Sequence, residues 1–270
     1  MIQKENYKIY NGDCLEVMEQ LAEDGIKFDL ILTDPPYGLV DCRWDKVIPF
    51  DSMWNGLNSI STPITTYVFF TSEPFGSKLK MSNIDKYKYD WYWIKSKHTG
   101  FLHAKNKPLT NVECISIFSK GGIAHKGTSK TRMTYNPQGL IKVDKMEKQR
   151  NPPSKHGKEN NVYSKKSFRK KYYKQEYTGY PKQTLNFDVV NSRESVHPTQ
   201  KPVKLLEYLI RTYSNEGDTV LDFTMGSGST GVACLNTGRK FVGIELEKEY
   251  YSIAKDRLEQ ASKHRQTTLI

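Results

Sequence analysis

Short apolar runs and helical apolar stripes take turns along the first 120 residues. Tyr7 to Tyr10 reads as a short strand and Asn11-Gly12-Asp13 as the turn that ends it. Leu15, Met18, Leu21 and Ala22 then recur at helical spacing. Phe28 to Thr33 is apolar without strict alternation, the pattern of a parallel strand covered on both faces. Thr65 to Thr71, Asp90 to Ile94 and Val112 to Ser119 are further strand candidates. This rhythm is lost from Gly121 to about Lys182, a stretch rich in Lys, Tyr, Asn, Gly and Pro that reads as an insertion of loops with a small subdomain. It returns with Pro202 at a helix start and Val203, Leu205, Leu206, Leu209 and Ile210 on one apolar face. Thr219 to Asp222 (strand), Gly226-Ser227-Gly228 (turn), Thr230 to Leu235 (helix), Phe241 to Leu246 (strand) and a closing helix from about Glu247 to Ala261 complete the chain. The alternation predicts a doubly wound α/β domain formed by residues 1–120 and 190–270, interrupted by an insert at 121–189.

Charge sharpens the view of that insert. The chain of 270 residues carries a formal net charge of +11, and between Lys120 and Leu185 there are 17 Lys or Arg against four Asp or Glu. One segment therefore holds the whole positive excess, and the remainder is slightly acidic. Such a run can be a solvated surface. Here Lys165, Lys166, Arg169, Lys170 and Lys171 are interleaved with Tyr163, Phe168, Tyr172 and Tyr173. Cations bind phosphates and rings stack on bases, so the mixture points to nucleic acid.

Other classes are disfavoured. No apolar run approaches the roughly 20 residues that span a bilayer. The opening MIQKENYKIY lacks the apolar core of a signal peptide, so a cytoplasmic location is expected. Cys14, Cys42, Cys114 and Cys234 are scattered, as are the six histidines, so neither a disulfide framework nor a metal site is expected.

Two constellations carry candidate chemistry. In TVLDFTMGSGSTGVACLNTGRKFVGIELEKEY a strand enters a glycine turn, a helix follows, and a second strand ends on Glu245. Glycines let the backbone approach a ligand, and an acid at the second strand end can bind a ribose diol. A phosphate-binding loop would need a Gly-Lys-Ser/Thr sequence, which is missing, and the dinucleotide fingerprint is incomplete. A nucleoside without a pyrophosphate remains, with S-adenosylmethionine as the obvious candidate. The other constellation is Asp34-Pro35-Pro36-Tyr37 at the end of the Phe28–Thr33 strand. Two prolines stiffen a turn that presents acceptors for an exocyclic amine and a ring that can stack on a base. A base reaches such a pocket only by leaving the helix.

Together, Asp34-Pro35-Pro36-Tyr37 and Asp222-Phe223-Thr224-Met225-Gly226-Ser227-Gly228 resemble the amino-group DNA methyltransferases that act on adenine N6 or cytosine N4. The order of the two elements, with VHPTQKPVKLLEYLI just before the second, resembles the β-class arrangement. The resemblance implies a circularly permuted, mostly parallel seven-stranded methyltransferase (Rossmann-like) sheet. It covers roughly residues 7–120 and 195–260 and leaves the basic insert unmatched.

Position by position, the resemblance implies that Asp34, Pro35, Pro36 and Tyr37 are catalytic. It implies that Asp222, Phe223, Gly226 and Gly228 bind the methionine part of S-adenosylmethionine, with Thr224 and Ser227 of the same turn also cofactor-binding. Glu245 falls at the ribose, Asp13 at the adenine, and Thr199, Gln200 and Lys201 at the cofactor's carboxylate end, while Cys14, Asp34 and Leu246 are also expected to bind the cofactor. Many β-class members have Asp-Pro-Phe where this chain has Asp222-Phe223-Thr224. Asp34 rather than Ser at the head of the motif favours adenine over cytosine. The expected partner is double-stranded DNA, and the resemblance adds a homodimer and a cognate restriction endonuclease as candidates, in a bacterial or phage setting. No Pro-Cys nucleophile is present, which speaks against cytosine C5 chemistry. Methylation of cytosine N4, RNA or a protein glutamine, and an inactive nucleic-acid-binding relic, are the competing readings. Trp44 with Asp45 can anchor the loop after the catalytic turn, though mere packing is the favoured reading. His98 and His103, in KSKHTGFLHAKNKP, can touch DNA phosphate, though plain solvent exposure is favoured for each alone; Glu113 reads as support for a neighbouring loop.

Overall fold

The structure, a computed structural model, describes residues 1–39, 45–123, 131–148, 172–191 and 200–268. It divides into two compact units, Met1–Asn136 with Gln183–Ile270, and Pro137–Lys182.

The larger unit is built on a nine-stranded sheet. In chain order the strands are β1 (Ile2–Gln3), β2 (Tyr7–Asn11), β3 (Phe28–Thr33), β4 (Ser61–Thr71), β5 (Tyr87–Thr99) and β6 (Thr110–Ser119). After β7 (Ile141–Lys148) and β8 (Tyr172–Thr178), which belong to the smaller unit, come β9 (Thr184–Phe187), β10 (Thr219–Asp222) and β11 (Lys240–Glu245). The sheet order is β1-β2-β11-β10-β3-β4-β6-β5-β9. Only β1 and β6 run antiparallel to their neighbours. The seven strands from β2 to β5 in that order correspond to the expected sheet, and β1 and β9 extend it at either edge. β9 pairs with β5, with Tyr92 beside Thr184, so residues within the compositionally basic stretch complete the main sheet. The compact second unit is correspondingly narrower than the 121–189 insertion expected from composition.

Helices cover both faces. α1 (Cys14–Glu23), α2 (Phe50–Ser59) and α3 (Phe75–Ser82) pack on one side through Met18, Leu21, Met53, Trp54, Leu57 and Leu79. α4 (Val203–Tyr213), α5 (Ser229–Asn236) and α6 (Lys248–Thr268) cover the other through Leu205, Leu209, Ile210, Ala233 and Leu258. This explains why the central strands lack polar alternation. In β4, Tyr67 and Phe69 meet the first helix layer while Val68 and Phe70 meet the second. A switch of direction falls between β10 and β3. The chain after β10 runs to β11 on one side, and the chain after β3 runs to β4 on the other. The carboxyl ends of strands at such a point form the crevice where ligands bind in open α/β sheets.

In the smaller unit β7 and β8 form an antiparallel pair, with Lys142 opposite Tyr177 and an ion pair of 2.8 Å between Lys174 and Asp144. Lys165, Lys166, Arg169, Lys170 and Lys171, expected to contact DNA, lie outside the described residues, as do Thr199 and Trp44. Among the described residues no helix is long and apolar enough to cross a membrane, and Cys14, Cys114 and Cys234 are free thiols.

Candidate active site

A cavity of about 740 Å³ opens at the carboxyl ends of β2, β11, β10, β3 and β4. Asp13, Cys14, Asp34, Pro35, Pro36, Tyr37, Gln200, Lys201, Asp222, Phe223, Thr224, Gly226, Ser227, Glu245 and Leu246 all line it, so residues far apart in sequence converge there. Its size suits a nucleoside together with a second planar group.

The Asp34–Tyr37 turn is held by Asp45, for which the sequence favours packing and leaves loop anchoring as the alternative. Asp45, 7% exposed, accepts hydrogen bonds from the Tyr37 and Gly38 amides on Oδ1 (2.7 and 2.9 Å) and from the Leu39 amide on Oδ2 (2.7 Å). Three charge-assisted bonds fix the exit of the turn, while Pro35 and Pro36 fix its φ angles. The Tyr37 hydroxyl donates to Asp34 Oδ1 at 2.5 Å, and one side of its ring rests against Phe75 at 5.1 Å between centroids.

Behind Asp34 lies a chain of buried charges. The Lys201 ammonium bonds Asp34 Oδ2 and stands 3.0 Å from Glu113 Oε1, with the Phe70 ring 4.9 Å beneath it. Lys95 holds the other Glu113 oxygen at 2.6 Å. Burial pushes the Asp34 carboxyl up, Lys201 opposes this and Glu113 adds to it, and the net direction is upward. For Glu113, burial also pushes up but Lys201 and Lys95 outweigh it, so this carboxyl sits below its ordinary value. The Lys201 ammonium is raised because its two carboxylate partners outweigh burial. The resemblance places Lys201 at the cofactor's carboxylate end; the structure pairs it with Asp34 and Glu113. Opposite charges at paired sequence positions would have been the only signal for this, and the partners are too distant in sequence to supply one.

The glycine turn is organised by Asp222. Its Oδ1 accepts the Thr33 hydroxyl (2.8 Å) and the Thr224 amide (3.2 Å), and its Oδ2 accepts the Thr230 hydroxyl (2.6 Å). This buried carboxyl therefore straps β10 to β3 and to the first turn of α5. Burial pushes it up to about 7. Thr224, one of the departures from the family pattern, lies 2.6 Å from the Thr33 hydroxyl and donates to the Asp34 carbonyl at 3.2 Å. Phe223 is buried against Phe69.

Two other residues of the turn are held from the α6 side. Ser227 is gripped by Arg257, whose guanidinium donates to the Ser227 carbonyl and to its hydroxyl (2.9 Å). Gly228 has φ +76°, and a Cβ there would meet the Ala254 Cβ at 2.9 Å, so the glycine admits α6. Glu245 accepts the Gly226 amide at 2.9 Å and the Glu247 amide at 2.8 Å, while burial raises its carboxyl. Asp13 caps α1 by accepting the Leu15 amide at 2.8 Å.

Six carboxyl groups line the cavity (Asp13, Asp34, Asp45, Glu113, Asp222 and Glu245) against the ammonium groups of Lys46, Lys95 and Lys201. An acid-rich lining suits a cationic nucleoside and opposes a polyphosphate.

Fold and site define a nucleoside-binding α/β protein of the methyltransferase type. Solved structures with the same architecture include an M1.HpyAVI–SAM complex, with a TM-score of 0.61, 24% identity and coverage of 93% of this chain and 100% of that one. Another is the PvuII DNA methyltransferase (cytosine-N4-specific), with a TM-score of 0.62, 17% identity and coverage of 98% and 93%. At these identities the likeness concerns the fold. The DNA methylase family model of N6 and N4 enzymes matches residues 28–256, and the chain belongs to this family. It is 27% identical over 265 residues to the Type II methyltransferase M1.MboII of Moraxella bovis, covering 92% of this chain and 94% of the relative. The protein is therefore a DNA methyltransferase, and the methyl donor of its family is S-adenosylmethionine.

Proposed function

We propose that this protein transfers a methyl group to the N6 amine of an adenine flipped out of a specific double-stranded DNA sequence. The observation that carries the reading is the placement of the Asp34 carboxylate and carbonyl beside the glycine turn, in one acid-rich cavity. The acidic head of the Asp34–Tyr37 motif favours adenine, and the Type II relative supports a site-specific role.

S-adenosylmethionine, when bound, supplies an electrophilic methyl group on a sulfonium. The chain's own residues supply position and charge. Glu245 keeps further acceptor capacity on its backbone-bonded carboxylate for a ribose diol, and Asp13 stands at the end of β2 to receive an adenine amine. Asp34 and the Pro35 carbonyl would accept hydrogen bonds from the two N–H groups of the target amine. This draws its lone pair out of conjugation and aims it at the methyl group. One of those protons would leave to solvent once the methyl group is attached. The rigid turn keeps these acceptors in place, so catalysis rests on orientation and fixed electrostatics without a covalent enzyme intermediate. Tyr37 moves its hydroxyl off Asp34 as the base enters, and its ring then lies against the base. Lys201 opposes the upward push that burial gives the Asp34 carboxyl and so favours its acceptor form.

Incubation with labelled S-adenosylmethionine and unmethylated genomic DNA, followed by nucleoside analysis, is expected to give N6-methyladenine. N4-methylcytosine as the product would overturn the choice of base. Asp34→Ala is expected to abolish transfer while the cofactor still binds, and full activity in that variant would remove Asp34 from the mechanism.

A further inference from the structure

The hairpin joining β5 to β6 ends in a tip that the site described above does not use. From Lys95 to Val112 the chain contains Lys95, Lys97, His98, His103, Lys105 and Lys107 and no acidic residue. Its apolar side chains point outward: Leu102 is 96% exposed and Phe101 66% exposed. The tip is nevertheless ordered by its own backbone. The His103 amide bonds the Gly100 carbonyl at 2.9 Å, Ala104 bonds Phe101 at 3.1 Å, and Asn106 and Lys107 bond His103 at 2.8 and 3.0 Å. Gly100 takes φ +95° to start this turn, and the His98 ring lies 4.9 Å from the Phe101 ring. At its base, Thr99, Thr110 and Val112 line the mouth of the cavity that holds Asp34.

A rigid apolar knob with a wholly basic surround, at the rim of a base-binding cavity, matches one occupant in charge and shape. We propose that the β5–β6 tip enters the DNA duplex beside the target, with Leu102 filling the gap left by the flipped-out base and Lys105 and Lys107 on the flanking phosphates. The proposal rests on the base-flipping reading above. Extruding a base leaves an unstacked void, and apolar side chains inserted between base steps hold such distortions open. Because the turn is already ordered, little conformational freedom is lost on insertion. The basic surround attracts the phosphates on either side.

The test uses the full chain, a duplex carrying the site found by sequencing labelled DNA, and the same duplex with a mismatch at the target. The double variant Phe101→Ala/Leu102→Ala removes only exposed groups, so its thermal midpoint should equal that of the wild type. Its kcat/KM on the matched duplex is expected to fall 10- to 100-fold, while the mismatched duplex, whose target is already unstacked, stays within threefold of wild type. Fluorescence of 2-aminopurine at the target, bright with the wild type, should dim with the double variant and recover with Leu102→Met. Lys105→Gln/Lys107→Gln should lower the slope of log affinity against log salt by about 0.9 per lost contact. Matched-duplex activity within twofold of wild type would overturn the proposal, as would an equal loss on both duplexes. If 2-aminopurine never brightens with the wild type, the base-flipping reading itself fails, and that is seen before any variant is made.

Discussion

Asp222→Asn gives the most direct access to the strap between β10, β3 and α5. Asp222 is 4% exposed, and it accepts hydrogen bonds from three neutral donors, on Thr33, Thr224 and Thr230. Burial moves its carboxyl from 3.8 to about 7. The folded protein therefore keeps this proton through a window in which the unfolded chain has lost it. A raised acid of this kind makes folding less favourable as pH climbs from about 4 to about 7, and its effect is constant above that. At about 1.4 kcal/mol per unit, the full penalty is on the order of 4 kcal/mol. Asparagine removes the titration. Its amide keeps an acceptor toward Thr33 and Thr224 and turns a donor toward Thr230, whose hydroxyl must rotate, a pH-independent offset of about 1 kcal/mol. Urea denaturation of both proteins at a series of pH values gives the difference in unfolding free energy. Taking the difference cancels the titration of Asp218 and Glu245, whose carboxyls are also raised by burial. The variant should gain about 3 kcal/mol on the wild type between pH 4.5 and pH 8. A difference that is flat to within about 1 kcal/mol would mean that Asp222 titrates normally and that burial does not govern it.

Lys201→Met leaves the Asp34 and Glu113 carboxyls without their shared cation, so unfolding in urea should show a loss of about 3–5 kcal/mol. In the same variant Asp34 keeps its proton to higher pH, and the acid limb of the pH–rate profile should move upward; an unmoved limb would separate Lys201 from Asp34. Asp45→Ala removes the acceptor for three amides at the exit of the Asp34–Tyr37 turn. Methylation should drop roughly 10-fold or more with cofactor affinity nearly unchanged, because the turn loses orientation and not ligand contacts. Gly228→Ala should cost about 1–3 kcal/mol in thermal or urea unfolding, from its positive φ and from the clash with Ala254. Adding Ala254→Gly should restore only the part due to the clash.

Local chemistry made much of this protein legible in its sequence. Apolar runs covered on both faces marked β3 and β4, prolines marked the rigid turn after β3, and positive-φ glycines marked the turn after β10, because each feature acts within a few residues of itself. α2 and α3 were missed, since Trp54, Leu57 and Leu79 become a core face only when the sheet is present to cover. β9 was hidden in a basic stretch, where a four-residue edge strand needs only one buried side chain, Leu185.

The site divides in the same way. Asp34, Tyr37, Gly226 and Glu245 could be named from the chain because their turns are encoded where they stand. The partners that set their charge and position could not. Lys201 meets Asp34 across 167 residues, and Thr33 meets Asp222 across 189. Those meetings exist only because parallel pairing sets β3 beside β10, with α4 following the Lys201 segment onto the same sheet. Sequence placed candidate groups in locally encoded turns; the order of strands in the sheet decided which of them touch, and so which are paired, strapped or left to line the cavity.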